Sequence, residues 1–201
     1  MAIGRGWCPR WTSIVLNCSR RSRFPTESSL PLRRPAAQFR FAPRSPRRAV
    51  SPSRSRFGFH PYFRLPGLPR ARWEVVFPVH ERLALDPNMV PTGATEPTGP
   101  LNGAVGERTW DDEYDGVDPG ACFQLSGGGR TIEMHYTEGY PVAQIFAPPG
   151  TDYLCIEPMT AVANALEGPD EDLRWVPVGE QHSTTFRIAC RRAAERAPAR
   201  G

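Results

Sequence analysis

Between Arg130 and Thr137 the chain alternates: Ile132, Met134 and Tyr136 share one parity, Glu133 and His135 the other. A period of two predicts a half-buried strand, because successive strand side chains point to opposite faces. Shorter runs rich in Val, Ile, Phe and Leu recur around it and predict strands over 73–79, 81–86, 121–126, 142–147, 153–156 and 183–190. The glycines Gly127, Gly128 and Gly129 predict a hairpin turn into the alternating strand. Neither a helix nor a Gly-Lys-Ser/Thr follows them, which argues against a phosphate loop. Pro91, Thr92 and Gly93 read as a turn, 94–106 as a polar loop, and 160–166 as a short helical turn. Many short strands separated by turn signals predict an all-β sandwich. No internal repeat is visible.

The first 56 residues follow neither period. Runs such as Ser19-Arg20-Arg21-Ser22-Arg23 and Pro43-Arg44-Ser45-Pro46-Arg47-Arg48 combine like charge with helix-breaking proline. Such a composition predicts a disordered segment over 1–56, and a disordered tail is expected over 191–201. The segment reads as a basic arm, as an organelle transit peptide, or as sequence without a selected function, such as a mispredicted start. The abrupt change of texture near Phe57 favours the last of these.

Charge sharpens the boundary. The net +4 conceals 13 arginines against one acid, Glu27, in residues 1–56, and 12 arginines against 20 acids in the rest. The body is therefore acidic, and nucleic acid is not an expected partner for it. All 25 basic residues are arginine, a coding bias more than a physical signal. Five cysteines stand at 8, 18, 122, 155 and 190, with no CxxC pair. Neither a disulfide framework nor a metal site is expected from that spacing, and reduced, cytoplasmic chemistry is the default. Cys155 lies in an apolar run and is expected as a buried thiol. No apolar run approaches the roughly 20 residues needed to span a bilayer, so no membrane partner is expected.

Two residues stand out chemically. Glu157 follows the apolar run Tyr153-Leu154-Cys155-Ile156; a carboxylate at the end of a buried strand is desolvated, its pKa rises, and it becomes a better base near neutrality. The other reading is a strand-end glutamate in water. His60 sits among Phe57, Phe59, Tyr62 and Phe63, where an imidazole titrating near ~6.5 donates or accepts a proton. The other reading is a packed, hydrogen-bonded histidine.

The motifs GFHPYFRLPG, LALDPNMVPTG, TWDDEYDG, GYPVAQIFAPPG and CIEPMTAVANAL occur in an order and spacing that resemble the aldose 1-epimerases, sugar mutarotases. The resemblance runs from about Phe57 to Ile188 and covers only the C-terminal half of that family's domain; 57–190 is read as that half. It implies a galactose-mutarotase-like β-sandwich, incomplete in this chain, and a cofactor-free isomerase acting on an aldose. By this resemblance Glu157 is the catalytic base and His60 the catalytic acid. Asp111, with Asp112 close behind, and Gln144 are implied as sugar-binding residues. On sequence alone Asp111 also reads as part of a solvated turn, and Gln144 as a strand-edge polar residue. The family's sugar-binding arginine and first histidine have no counterpart in residues 1–56, so activity is expected to be impaired. A non-catalytic carbohydrate-binding remnant is the alternative function. A glycoside hydrolase using Asp111 and Glu157 would leave His60 without a role.

Overall fold

The computed structural model describes residues 12–17, 37–41, 52–167, 173–180 and 182–192. In chain order the described strands are β1 (Thr12–Asn17), β2 (Ala37–Phe41), β3 (Ser53–Ser55), β4 (Phe59–Arg64) and β5 (Glu74–Phe77). They continue as β6 (Glu81–Leu85), β7 (Pro91–Pro97), β8 (Leu101–Ala104), β9 (Trp110–Asp115) and β10 (Cys122–Gly127). The last five are β11 (Arg130–Glu138), β12 (Val142–Ala147), β13 (Leu154–Met159), β14 (Arg174–Val176) and β15 (Thr184–Arg192). One sheet orders them β1-β4-β13-β12-β9-β6-β7, a second β2-β15-β11-β10-β5-β8, and β14 pairs with β3 in a small third sheet. Every pairing is antiparallel except that of β1 with β4. No helix among the described residues is long and apolar enough to cross a membrane.

The two large sheets meet through their apolar faces. Phe77 of β5 packs edge-on to Trp110 of β9 at 6.2 Å, and Phe59 of β4 meets Phe186 of β15 at 5.1 Å. Within the six-stranded sheet Phe123 touches both Phe77 and Tyr136, at 5.9 and 4.7 Å. Strand alternation supplies the matching residues from the seven-stranded sheet: Phe63, Ile145, Leu154 and Ile156 are all fully buried. The expected all-β sandwich is what the chain forms.

The expected hairpin at the triple glycine is present: Gly127 pairs with Arg130, and Gly128 and Gly129 lie at φ +57° and +68°. Positive φ at both central residues defines the type I′ turn, whose twist matches the strands it joins. Arg70, in a single 3-10 turn at Arg70–Arg72, ties three loops together. Its guanidinium donates to the carbonyls of Arg108 at 2.6 Å and Ala147 at 3.2 Å, and to the Thr151 hydroxyl at 3.2 Å.

Two readings are corrected, at 91–106 and at 111–115. The turn at 91–93 and the polar loop over 94–106 are instead β7 and β8, edge strands whose residues are mostly exposed and so carry no apolar alternation. The acidic run at 111–115 is not a turn but β9, in which Trp110 and Tyr114 are buried. Thr12–Asn17 and Ala37–Phe41 fall inside the segment read as disordered, yet run as strands beside β4 and β15. The expected tail over 191–201 begins with Arg191 and Arg192 still in β15; the rest of it, like the remainder of 1–51, lies outside the described residues.

Phe123 packs against two aromatic rings, Phe77 and Tyr136, at the centre of the core. Replacing Phe123 with Ala is expected to cost roughly 3–5 kcal/mol, the usual penalty for emptying a buried aromatic site. Urea unfolding would read it as a lowered midpoint at unchanged slope; a loss under 1 kcal/mol would mean the two sheets do not share this core.

Candidate active site

The outer face of the seven-stranded sheet carries the chemistry. In β12, Gln144 pairs with Glu157 of β13 on one side and Glu113 of β9 on the other. Two residues along, Cys155 pairs with Tyr62 of β4 and with Phe146, and Phe146 pairs with Asp111. Continuing the β4–β13 register by two residues brings His60 beside Glu157. Side chains on adjacent strands at paired positions share a face, so the sheet alone gathers His60, Glu157, Gln144, Glu113 and Asp111. They line a cavity of about 280 Å³, with Arg56, Leu85, Met89, Phe146, Met159 and Ala163.

His60 Nε2 stands 3.0 Å from Glu157 Oε1. The imidazole is clamped between two rings: Tyr62 stacks on it at 4.6 Å and 17°, and Phe146 approaches edge-on at 5.9 Å and 75°. Glu157 is 2% exposed. Burial, reinforced by the charges of Asp111 and Glu113, pushes its carboxyl up to about 8. Burial also lowers the pKa of His60, against the opposing pull of a backbone hydrogen bond and the Asp111 charge. Both shifts favour neutral forms, so at neutral pH the two side chains together hold one proton.

Asp111 Oδ1 accepts a hydrogen bond of 2.7 Å from the Gln144 side-chain amide. Its pKa is raised by burial and, to a lesser degree, by Asp112, with the amide opposing. Asp112 itself faces away from the cavity and pairs with Arg82 at 3.3 Å. Glu113 is as buried as Glu157 and accepts the Ala163 amide N–H at 2.7 Å. Its pKa rises by burial, opposed by that bond and by Arg56.

Arg56 reaches the cavity because the chain on both sides of it is anchored. Before it, β3 pairs with β14. After it, the Phe57 amide donates to Thr160 Oγ1 and the Thr160 amide donates to the Phe57 carbonyl, each at 3.0 Å.

The four residues expected from sequence, His60, Glu157, Asp111 and Gln144, thus lie on one surface. Gln144 is in a central strand, not at an edge. Sequence reading missed Arg56 and Glu113. Arg56 carried no signal, standing at the end of an arginine-rich run. Glu113 had one: once 110–115 is a strand, Glu113 must face the same side as Asp111.

A buried acid that ionises late links the site to stability. An unfolded glutamate ionises near its ordinary 4.5, the folded one at about 8. Between those values the unfolded state binds fewer protons, so stability falls as pH rises from about 5 to 8, by up to a few kcal/mol. Glu157→Gln is expected to flatten that fall and to melt higher than wild type at pH 8. Thermal melts of both proteins at pH 5 and pH 8 check this; parallel shifts in the two would contradict it.

No family model and no curated protein matches the sequence. Solved structures match the fold. A galactose mutarotase-like protein from Clostridium acetobutylicum aligns at TM-score 0.63 and 16% identity, over 72% of this chain and 50% of its own. A galactose mutarotase related enzyme from Lactobacillus acidophilus aligns at 0.60 and 16%, over 74% and 55%. An aldose epimerase homologue from C. elegans aligns at 0.55 and 16%, over 71% and 53%. The chain therefore has the galactose-mutarotase-like fold and spans about half the length of the solved proteins that share it.

Proposed function

We propose that this chain is an aldose 1-epimerase-like isomerase, interconverting the α and β anomers of a hexose by acid/base ring opening. The observation that carries the reading is the His60–Glu157 contact of 3.0 Å at the wall of a cavity that Asp111 and Gln144 also line.

A cyclic hemiacetal carries its two reacting oxygens on one carbon. An acid and a base must therefore reach neighbouring atoms, which suits two side chains in contact on adjacent strands. In the proposed cycle the Glu157 carboxylate takes the proton of the anomeric hydroxyl while the His60 imidazolium gives one to the ring oxygen. The bond from C1 to the ring oxygen breaks, and C1 becomes an aldehyde. Rotation about C1–C2 presents its other face; proton transfers in the reverse sense close the ring. Protons balance within each turnover, and nothing is oxidised or reduced.

The pair's single proton is what this chemistry needs. With the proton on Glu157 the pair rests neutral; moved to His60, it gives the carboxylate and imidazolium of the cycle. Asp111 and Gln144 hold ring hydroxyls in this reading, and Arg56 and Glu113 also line the cavity.

The pH dependence follows. The singly protonated pair exists above the lowered pKa of His60 and below the raised pKa of Glu157. Mutarotation in chelator-treated buffer should therefore be bell-shaped, with its alkaline limb near pH 8 and its acid limb below His60's ordinary 6.5. A rate still climbing beyond pH 9 would exclude this pair.

Polarimetry on α-glucose and α-galactose tests the activity itself. Acceleration over the spontaneous rate is expected, and Glu157→Gln should lose roughly 10²–10⁴-fold of it, the usual share of a general acid or base. Sugar binding that survives Glu157→Gln with no turnover in either protein would make the chain a carbohydrate binder instead.

A further inference from the structure

One side chain among these residues has no part in the proposed chemistry. Cys155 is fully buried, two residues from Glu157 on the same face of β13. Its sulfur, a ring nitrogen of His60 and a carboxylate oxygen of Glu157 all lie within 4.8 Å of one another. We propose that Cys155, His60 and Glu157 form a Zn²⁺ site, and that the ion competes there with the sugar.

Three arguments converge on it. The first is geometry. A tetrahedral zinc ion with bonds of about 2.0–2.3 Å holds its ligand atoms roughly 3.3–3.6 Å apart. The three atoms here lie within 4.8 Å of one another, with His60 Nε2 and Glu157 Oε1 at 3.0 Å, and the β4–β13 register fixes the backbone beneath them, so side-chain rotations that draw the atoms together would complete the set. The second is ligand chemistry. Thiolate, imidazole and carboxylate together suit zinc and not the oxygen-seeking Mg²⁺ or Ca²⁺. The third is electrostatic. Glu157, Asp111 and Glu113 bring three carboxyl groups to one cavity wall on neighbouring strands, and a dication offsets negative charge gathered there. His60 and Glu157 also line the cavity, so an ion held by them would stand beside the space the sugar would fill.

Binding has a definite proton balance. The ion displaces the thiol proton of Cys155 and the single proton shared by His60 and Glu157; both pass to solvent, and no atom changes oxidation state. The pair is then left without a proton to move. The inhibitory consequence rests on the proposed isomerase reading; the binding does not.

The two are separated by using Co²⁺ as the probe. Added to the chelator-treated, full-length protein, Co²⁺ should give the near-ultraviolet charge-transfer band of a thiolate ligand, and Zn²⁺ should abolish it. Four other cysteines are present, so the band must vanish in Cys155→Ala, and also in His60→Gln, which keeps the thiol. Thermal melts would show that each variant folds; if Cys155→Ala does not, Cys155→Ser and His60→Gln carry the comparison. In the activity arm, Zn²⁺ should raise the apparent KM for the sugar, Cys155→Ala should need at least about tenfold more of it, and Mg²⁺ should do nothing. A band that persists in the variants would overturn the proposal, as would equal inhibition of wild type and Cys155→Ala or equal potency of Mg²⁺. A Co²⁺ band without any mutarotation would uphold the metal site and remove the isomerase reading.

Discussion

Strand register across β4, β13, β12 and β9 is the constraint on which the rest of the structure depends. Side chains alternate faces along each strand, so Leu154 and Ile156 enter the core while Cys155 and Glu157 face outward. A slip of one residue would send every outward group into the core and every core residue to the surface. The aromatic contacts between the sheets therefore do more than hold the sandwich closed. They select the one register in which His60 meets Glu157, so the core and the site are two faces of a single choice.

That choice carries an internal tension. Glu113 and Glu157 are both nearly inaccessible to water and sit one strand apart on either side of Gln144. Burying acids opposes folding unless they stay protonated or find partners. Glu113 finds the Ala163 amide and Arg56; Glu157 finds, among the described residues, an imidazole that is itself pushed toward neutrality. The surrounding hydrophobic core offsets the cost, and the site keeps a proton that is easily moved. Groups whose environments drive them toward neutral forms in contact are the arrangement that acid/base chemistry near pH 7 requires.

Much of this was legible in the chain. The alternation of Ile132, Met134 and Tyr136 marked β11, and the three glycines marked the hairpin before it. Runs of β-branched and aromatic residues marked β5, β12 and β15. Strands with little to bury left no trace: β7 and β8 are edges built from Pro, Thr, Gly and Asn. Trp110-Asp111-Asp112-Glu113-Tyr114 hid its alternation behind three consecutive acids, and Glu113 was lost with it. Arg56 was invisible for another reason. Its position is set by hydrogen bonds between Phe57 and Thr160, distant in sequence, which no local pattern encodes. His60 and Glu157 stood out by their apolar surroundings and took their roles from a resemblance to a family; the contact between them is a property of the register alone.

The cationic side chains around the cavity are a guanidinium and an imidazole, and the whole chain contains no lysine. In the proposed cycle an aldose opened at this wall would spend part of each turn as a free aldehyde, the form that condenses with primary amines. A lysine here would capture it as a Schiff base and, after rearrangement, remain glycated. Arginine and histidine do not form that adduct, so in the proposed cycle they would bind and protonate a sugar passing through its open form without being captured by it.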